Sequence, residues 1–329
     1  MAVMELVAGA INWDTTVFID EFPAPGEEVR ARKVISVPGG KGANTAVASS
    51  RILGRGKVGL IGALGDDRIA DEQIRILEEE GIDTSCVKRF ADASGQAYIL
   101  VDAKGENMIL TYKAVNDMLK PEMLVEQSLR DAVDGARILV VIDPPLEFAL
   151  ALMESARSGA GVDHGMGKTI VWMPALLTRL GFDALRVGME RVDYLVMNES
   201  ECLNLSQAGD MMQGFKALAR LGKRMVLTMG SQGCLFHWDG KTVHIPTVDL
   251  KAIGLNVVST VGAGDAFLGA FTALLLKGYG EIEALFMANL AAALKVSREE
   301  TRASPYYDEL MRYMGDERVE RFYTGIRVL

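Results

Sequence analysis

Short, mostly apolar runs that end at a polar or small residue and then give way to helical spacing recur along this chain, and nothing else constrains its fold as much. Residues 5–9, 58–62, 137–142, 169–173 and 193–197 are such runs, and 225–228 opens another. Buried strands alternating with helices are the α/β pattern. With 49% apolar residues among 329, the chain can bury a large core, so one α/β unit is expected over 1–329 rather than two unrelated domains. In open parallel sheets ligands gather at strand C-termini, which directs attention to the residues that follow each run.

One junction is richer than the others. Ser259-Thr260-Val261-Gly262-Ala263-Gly264-Asp265 leads directly into the apolar stretch 266–276. Small residues before a helical pattern imply a helix N-terminus, whose backbone N–H groups over Gly262, Ala263, Gly264 and Asp265 lack intrahelical partners and form an anion site. A carboxylate in that same turn suits proton abstraction beside a phosphate, although Asp265 can equally serve to complement the helix dipole.

The run 5–9 delivers Asn12 and Asp14, which either hold a polar substrate or shape a turn. Gly39-Gly40-Lys41-Gly42-Ala43-Asn44 then joins a strand to a small-residue helix, so that backbone approaches a ligand closely while Lys41 and Asn44 supply donors. Segments of about 15–37 and 95–113 alternate apolar and polar residues around turns and are expected to form a small β-sheet lid over the substrate mouth. Asp143 ends the run 137–142. After 193–197, Asn198 and Glu201 stand three apart on a starting helix, either arranging waters around a hard divalent cation or, for Asn198, capping the helix. Thr228, Gly230 and Gly233 belong to a strand–turn–strand unit of a kind that suits nucleotide phosphates or ribose, and equally to a plain hairpin.

Several classes are excluded. A formal charge of −9 argues against broad nucleic-acid binding. No run is long enough for a membrane span, and the start lacks a basic export region, so no membrane partner and a cytoplasmic location are expected. Cys86, Cys202 and Cys234 are too scattered for a disulfide framework or zinc site, which fits a reducing compartment. His164, His237 and His244 are equally dispersed. Residues 161–169 imitate a P-loop, but the first glycine is one residue too distant and the segment follows a helix, the reverse of what phosphate cradling requires. A nicotinamide dehydrogenase is excluded by the lack of G-x-G-x-x-G after the first strand.

Three of these elements together resemble the ribokinase, or PfkB, family of sugar kinases. Gly39-Gly40-Lys41-Gly42-Ala43-Asn44 is similar to its first signature, Asn198-Glu199-Ser200-Glu201 to its N-x-x-E element, and Gly262-Ala263-Gly264-Asp265 to its second signature. Asn12 to Asp14, Gly65-Asp66-Asp67, Gly105-Glu106-Asn107 and Thr228-Met229-Gly230 fall in family order, so the resemblance spans roughly residues 6–296. It implies a doubly wound, mostly parallel sheet sandwiched by helices, with a β lid, and transfer of the terminal phosphate of ATP to a sugar hydroxyl. It further implies Asp265 as base with the Gly262, Ala263 and Gly264 amides as anion hole. Asn12, Asp14, Gly40, Lys41, Asn44 and Asp143 would hold the sugar. Asn198 and Glu201 would arrange Mg²⁺ through water, and Thr228, Gly230, Gly233 and Asn289 would line the nucleotide site.

Departures from the family pattern shape the expected specificity. Ser259 replaces the Asp that helps hold a monovalent cation in potassium-activated members, and Arg298-Glu299-Glu300-Thr301 replaces the usual Lys-Gly-Ala, so potassium is not expected to be needed. Asp143 stands where ribokinases resemble one another in carrying Glu, and Trp172-Met173-Pro174 replaces an Asn-Pro pair. Ribose is the leading acceptor, with nucleosides, ketohexoses and 2-keto-3-deoxy sugars sharing every signature, and a non-catalytic sugar-binding relative as the remaining alternative. Exposed lid strands favour pairing with a second chain, hence a homodimer.

Overall fold

The protein is described by a computed structural model over residues 3–158 and 167–329. The P-loop-like stretch, with His164, therefore falls largely outside the described residues. The apolar runs are strands of one large sheet, parallel from Ile82–Asp83 through Val58–Leu64, Glu5–Gly9 (β1), Ile138–Ile142, Thr169–Met173 and Tyr194–Asn198 to Arg224–Thr228. Cys234–Trp238, Lys241–Ile245 and Arg327–Val328 continue it antiparallel.

Residues alternate between two apolar layers. Val7, Val140, Val171 and Val196 face one helical layer, while Leu6, Ala8, Leu139, Val141 and Trp172 face the other. Both faces are covered, and that is why these strands read as unbroken apolar runs. β1 lies between Val58–Leu64, which follows it in the sheet-forming order, and Ile138–Ile142, where the winding proceeds the other way. The order therefore reverses at the C-terminal ends of β1 and Ile138–Ile142, and a crevice opens there.

On the first layer, the helix Lys41–Leu53 (α1) lies against the helix Ala263–Leu276. A Cβ at Gly269 would stand 2.4 Å from the Thr45 carbonyl oxygen, so only glycine lets these helices come so close. That contact fixes Asn44 of α1 relative to Asp265.

The second sheet runs in the order Lys33–Gly39 (β3), Asn12–Phe18 (β2), Gly95–Val101 and Asn107–Tyr112. It is built from the two segments expected to form the lid. Asn12 and Asp14 do not sit in a loop after β1, as the first run suggested; after two residues the chain re-enters a strand, and both lie on β2 of the small sheet. Ala97, Ile99, Ile109 and Thr111 line the crevice, although Ile109 and Thr111 are exposed, as are Tyr98, Met108, Leu110 and Tyr112.

Candidate active site

The crevice is a cavity of about 1350 Å³ between the two sheets. Every proposed site residue lines it: Asn12, Asp14, Gly40, Lys41, Asn44, Asp143, Asn198, Glu201, Thr228, Gly230, Gly233, Gly262 to Asp265 and Asn289. Residues far apart in sequence meet because each follows a strand end or opens a helix at the same edge of the large sheet.

Gly262 caps the Ala263–Leu276 helix in the left-handed region, at φ 80°, and a Cβ there would lie 2.6 Å from the Thr301 carbonyl oxygen. No side chain caps this N-terminus. The amide row is narrower than the sequence suggested, because the Ala263 N–H donates to the Thr260 carbonyl at 3.2 Å. Gly262, Gly264 and Asp265 contribute the amides left for an anion.

Asp265 is buried in the first turn, and its Oδ2 accepts a hydrogen bond from Asn44 Nδ2 at 2.9 Å. Burial raises its pKa, opposed by the charge of Lys41, the Asn44 hydrogen bond and the charge of Lys295. A carboxylate so placed is more basic than one in water yet still has cationic support, as a proton acceptor requires.

Asp14 is pushed up to about 6, chiefly by burial, with Arg302 and Lys41 working against the rise. Its Oδ1 is buried without a hydrogen-bond partner, as is Oδ1 of Asp143. Asp143 holds a left-handed backbone at φ 59° directly after its strand, with Lys113 Nζ 3.6 Å from its Oδ1. Burial raises its pKa too, against the charges of Lys113 and Lys41. Each carboxylate thus keeps one oxygen that accepts no hydrogen bond, that of Asp143 facing the Lys113 ammonium, and both residues line the cavity where a polyhydroxy ligand can supply donors. Asn12 is held by Asn116, whose Nδ2 donates to Asn12 Oδ1 at 2.9 Å. Lys41 is the positive charge common to this floor, since it stabilises the ionised forms of Asp14, Asp143, Glu201 and Asp265.

Across the cavity, Asn198 and Glu201 form a reciprocal capping box. Asn198 Oδ1 accepts from the Glu201 N–H at 2.9 Å, and Glu201 Oε2 accepts from the Asn198 N–H at 3.0 Å. The Asn198 side-chain oxygen is therefore engaged in capping, the alternative that its spacing had left open. Glu201 is raised in pKa by burial, opposed by that backbone N–H and by Lys41. Asn289 Nδ2 donates to the Ile245 carbonyl at 3.1 Å and the Pro246 carbonyl at 3.4 Å, so it braces the cavity wall. Thr228 ends its strand beside the Gly230–Gln232 turn, with Gly233 at φ 86° closing it.

Some side chains at the site were not singled out by any motif. Lys295, fully buried, donates from Nζ to the Ser259 carbonyl at 3.1 Å, and burial lowers its pKa to about 8 against the pull of Asp265. Arg302 donates from Nε to Asn44 Oδ1 at 3.0 Å and from Nη2 to the Gly39 carbonyl at 2.6 Å. The available signal for Lys295 was a lone cation inside the apolar stretch 284–296.

The model of the pfkB family carbohydrate kinases matches residues 6–306. A deoxyribokinase of Salmonella typhi is 32% identical over 320 residues, covering 94% of this chain and 97% of the relative. A ribokinase of Staphylococcus aureus (strain COL) is 28% identical over 316 residues, covering 93% and 97%. Among solved structures, ribokinase from Cryptococcus neoformans var. grubii in complex with ADP is similar at a TM-score of 0.79 and 26% identity, covering 95% of this chain and all 100% of that one. The sheet order and the family match agree, and the chain belongs to the pfkB family of carbohydrate kinases, which are phosphotransferases.

Proposed function

We propose that this chain transfers the γ-phosphate of ATP to a hydroxyl of a pentose, ribose being the leading candidate, with Asp265 as the base. The observation that carries this reading is the shared floor: Asp265 stands in the first turn of an uncapped helix, hydrogen-bonded to Asn44, and lines one cavity with Asp14 and Asp143. Asp14, Asp143 and Asn12 hold the sugar hydroxyls and Asn44 steadies the base. One hydroxyl gives its proton to Asp265 as its oxygen bonds to the γ-phosphorus, and ADP leaves as the bond from that phosphorus to the bridging oxygen breaks. The amides of Gly262, Gly264 and Asp265 receive the charge that develops on the phosphoryl oxygens, and the sheet of β2 and β3 excludes water.

Mg²⁺ fits the donor set in one mode. Among the described residues no cluster of three or more His, Cys, Asp or Glu forms a metal cage. Glu201, with Oε2 fixed by the capping box, is a hard oxygen donor on the nucleotide side, and Mg²⁺ commonly keeps its waters while bound by one carboxylate and substrate phosphates. Bound there, the ion would supply charge neutralisation between the phosphates. Thr228, Gly230 and Gly233 would line the nucleotide, with Asn289 and Asn198 keeping its walls in place.

Lys295 supports a reaction without potassium, since a tethered ammonium already satisfies the Ser259 carbonyl. Met173, at the end of its strand, lines the cavity near Asp143 and gives that subsite an apolar wall. This favours, as the second reading, a deoxy sugar with a carbon rather than a hydroxyl at that point, over nucleosides and ketohexoses. The exposed apolar residues of the small sheet support a homodimer through that sheet, and three free, buried cysteines fit a reducing cytoplasm. A panel of pentoses, deoxy and keto sugars, hexoses and nucleosides with ATP and Mg²⁺, read as phosphorylated product, tests the reading. Turnover of none of them would sink it.

A further inference from the structure

We propose that Arg302 is a positioning residue of the phosphoryl transfer: by fixing the Asn44 amide it aims the free oxygen of Asp265, and by the same guanidinium it sets the registry of the sugar floor. The inference rests on the sugar-kinase reading above and adds a residue that none of the signature motifs contains.

A primary amide can turn either its oxygen or its nitrogen to a neighbour. Arginine only donates, so Arg302 Nε, 3.0 Å from Asn44 Oδ1, leaves Asn44 one choice: Nδ2 must face Asp265 Oδ2. Oδ2 is thereby occupied, and Oδ1 of Asp265 is the oxygen left for an incoming hydroxyl. Without the guanidinium, Asn44 is free to flip and set its oxygen against a carboxylate.

The fork reaches further. Nη2 holds the Gly39 carbonyl at 2.6 Å, immediately before the Gly40–Lys41 turn, and Gln73 Oε1 at 3.0 Å. Gln73 in turn donates from Nε2 to the Asn12 carbonyl at 2.5 Å. One side chain therefore connects the base, the glycine turn and β2. Arg302 is buried, with Nη1 lacking a partner, so it is costly to keep unless it acts on its surroundings. The charged groups that bear on it come from separate elements: Asp14 of β2, Glu80 after the Arg68–Glu79 helix, Asp265, and Arg51 of α1. Burial lowers its pKa to about 10, which still leaves it charged at neutral pH. It is also the cation that most opposes the raised pKa of Asp14.

The test compares the wild type, Arg302→Gln and Arg302→Lys on the best acceptor, recording kcat, both KM values, the pH profile of kcat/KM and the melting curve. Arg302→Gln is expected to lower kcat by about 10–100-fold and to move the acid limb of kcat/KM up by about one pH unit, with KM for ATP unchanged. Arg302→Lys keeps the charge beside Asp14 but not the fork, so its acid limb should stay in place while kcat falls. Should Arg302→Gln fail to fold, Arg302→Lys decides alone. A kcat equal to wild type in Arg302→Lys, or an unmoved acid limb in folded Arg302→Gln, overturns the proposal. A wild type that phosphorylates no sugar or nucleoside is a different failure, that of the function itself.

Discussion

Asn44 and Asp265 lie 221 residues apart in sequence, yet Asn44 Nδ2 is 2.9 Å from Asp265 Oδ2. The bond joins the first helix after the glycine turn to the helix that opens the anion site, across an approach that Gly269 alone permits. The carboxylate cannot rotate freely, which suits the base role proposed for it.

Asp265→Asn is therefore expected to keep the fold and the sugar affinity while kcat drops by about 10²–10⁴-fold. Isothermal titration with the acceptor and a coupled turnover assay separate the two. Near-normal kcat would remove Asp265 from the role.

The pH profile should show an acid limb set by Asp14. Its pKa is raised from 3.8 to about 6, so the ionised form that accepts hydroxyl hydrogen bonds is present above that value and is lost as pH falls through it. KM for the sugar should accordingly rise below about pH 6, before kcat is much affected. Asp14→Asn should raise KM at neutral pH by roughly 10-fold or more, about the cost of one charged hydrogen bond, and erase that limb.

Lys295→Met opposes stability and function. Burial lowers the Lys295 pKa from 10.5 to about 8, so holding it charged costs stability below pH 8, and the cost is relieved as pH rises from there toward the unfolded value. The variant should be more stable at pH 7 by about 1–3 kcal/mol, with the advantage shrinking above pH 8. It should also turn over more slowly, since the Ser259 carbonyl loses its donor and Asp265 a supporting charge. Wild-type rates in sodium and in potassium should match; strong activation by potassium would contradict the assignment of Lys295 as the tethered cation.

Tyr98, Met108, Leu110 and Tyr112 make an exposed apolar face, with Tyr98 paired across the strands to Leu110. Leu110→Lys should therefore convert a dimer to a monomer in light-scattering chromatography. A wild type that elutes as a monomer at micromolar concentration would count against this interface.

Much of the architecture was legible because parallel strands covered on both faces leave long apolar runs, and because strand ends in such a sheet converge. Glycine turns and the Gly262 to Asp265 junction were likewise readable, being local. What escaped was set by reach. Arg302 and Lys295 act over tertiary distances from segments with no motif, and sequence spacing carries no trace of where a long side chain ends. Asn198 and Glu201 show a second limit, because the pattern that suits a metal-bound water is the same pattern that caps a helix. The loss of the Ala263 amide to Thr260 follows from a turn geometry that small residues allow but do not spell out.

Asn12 and Asp14 belong to the small sheet, whereas Asp265 and its amide row are anchored to the large one, and only Ala10 and Ile11 separate β1 from β2. In the proposed reaction, gripping the alcohol and stripping its proton thus fall to different sheets, tied together by Arg302 and Gln73. A water molecule reaching the base leaves the grip on the other sheet unfilled, so on that reading ADP release without a sugar should be slow.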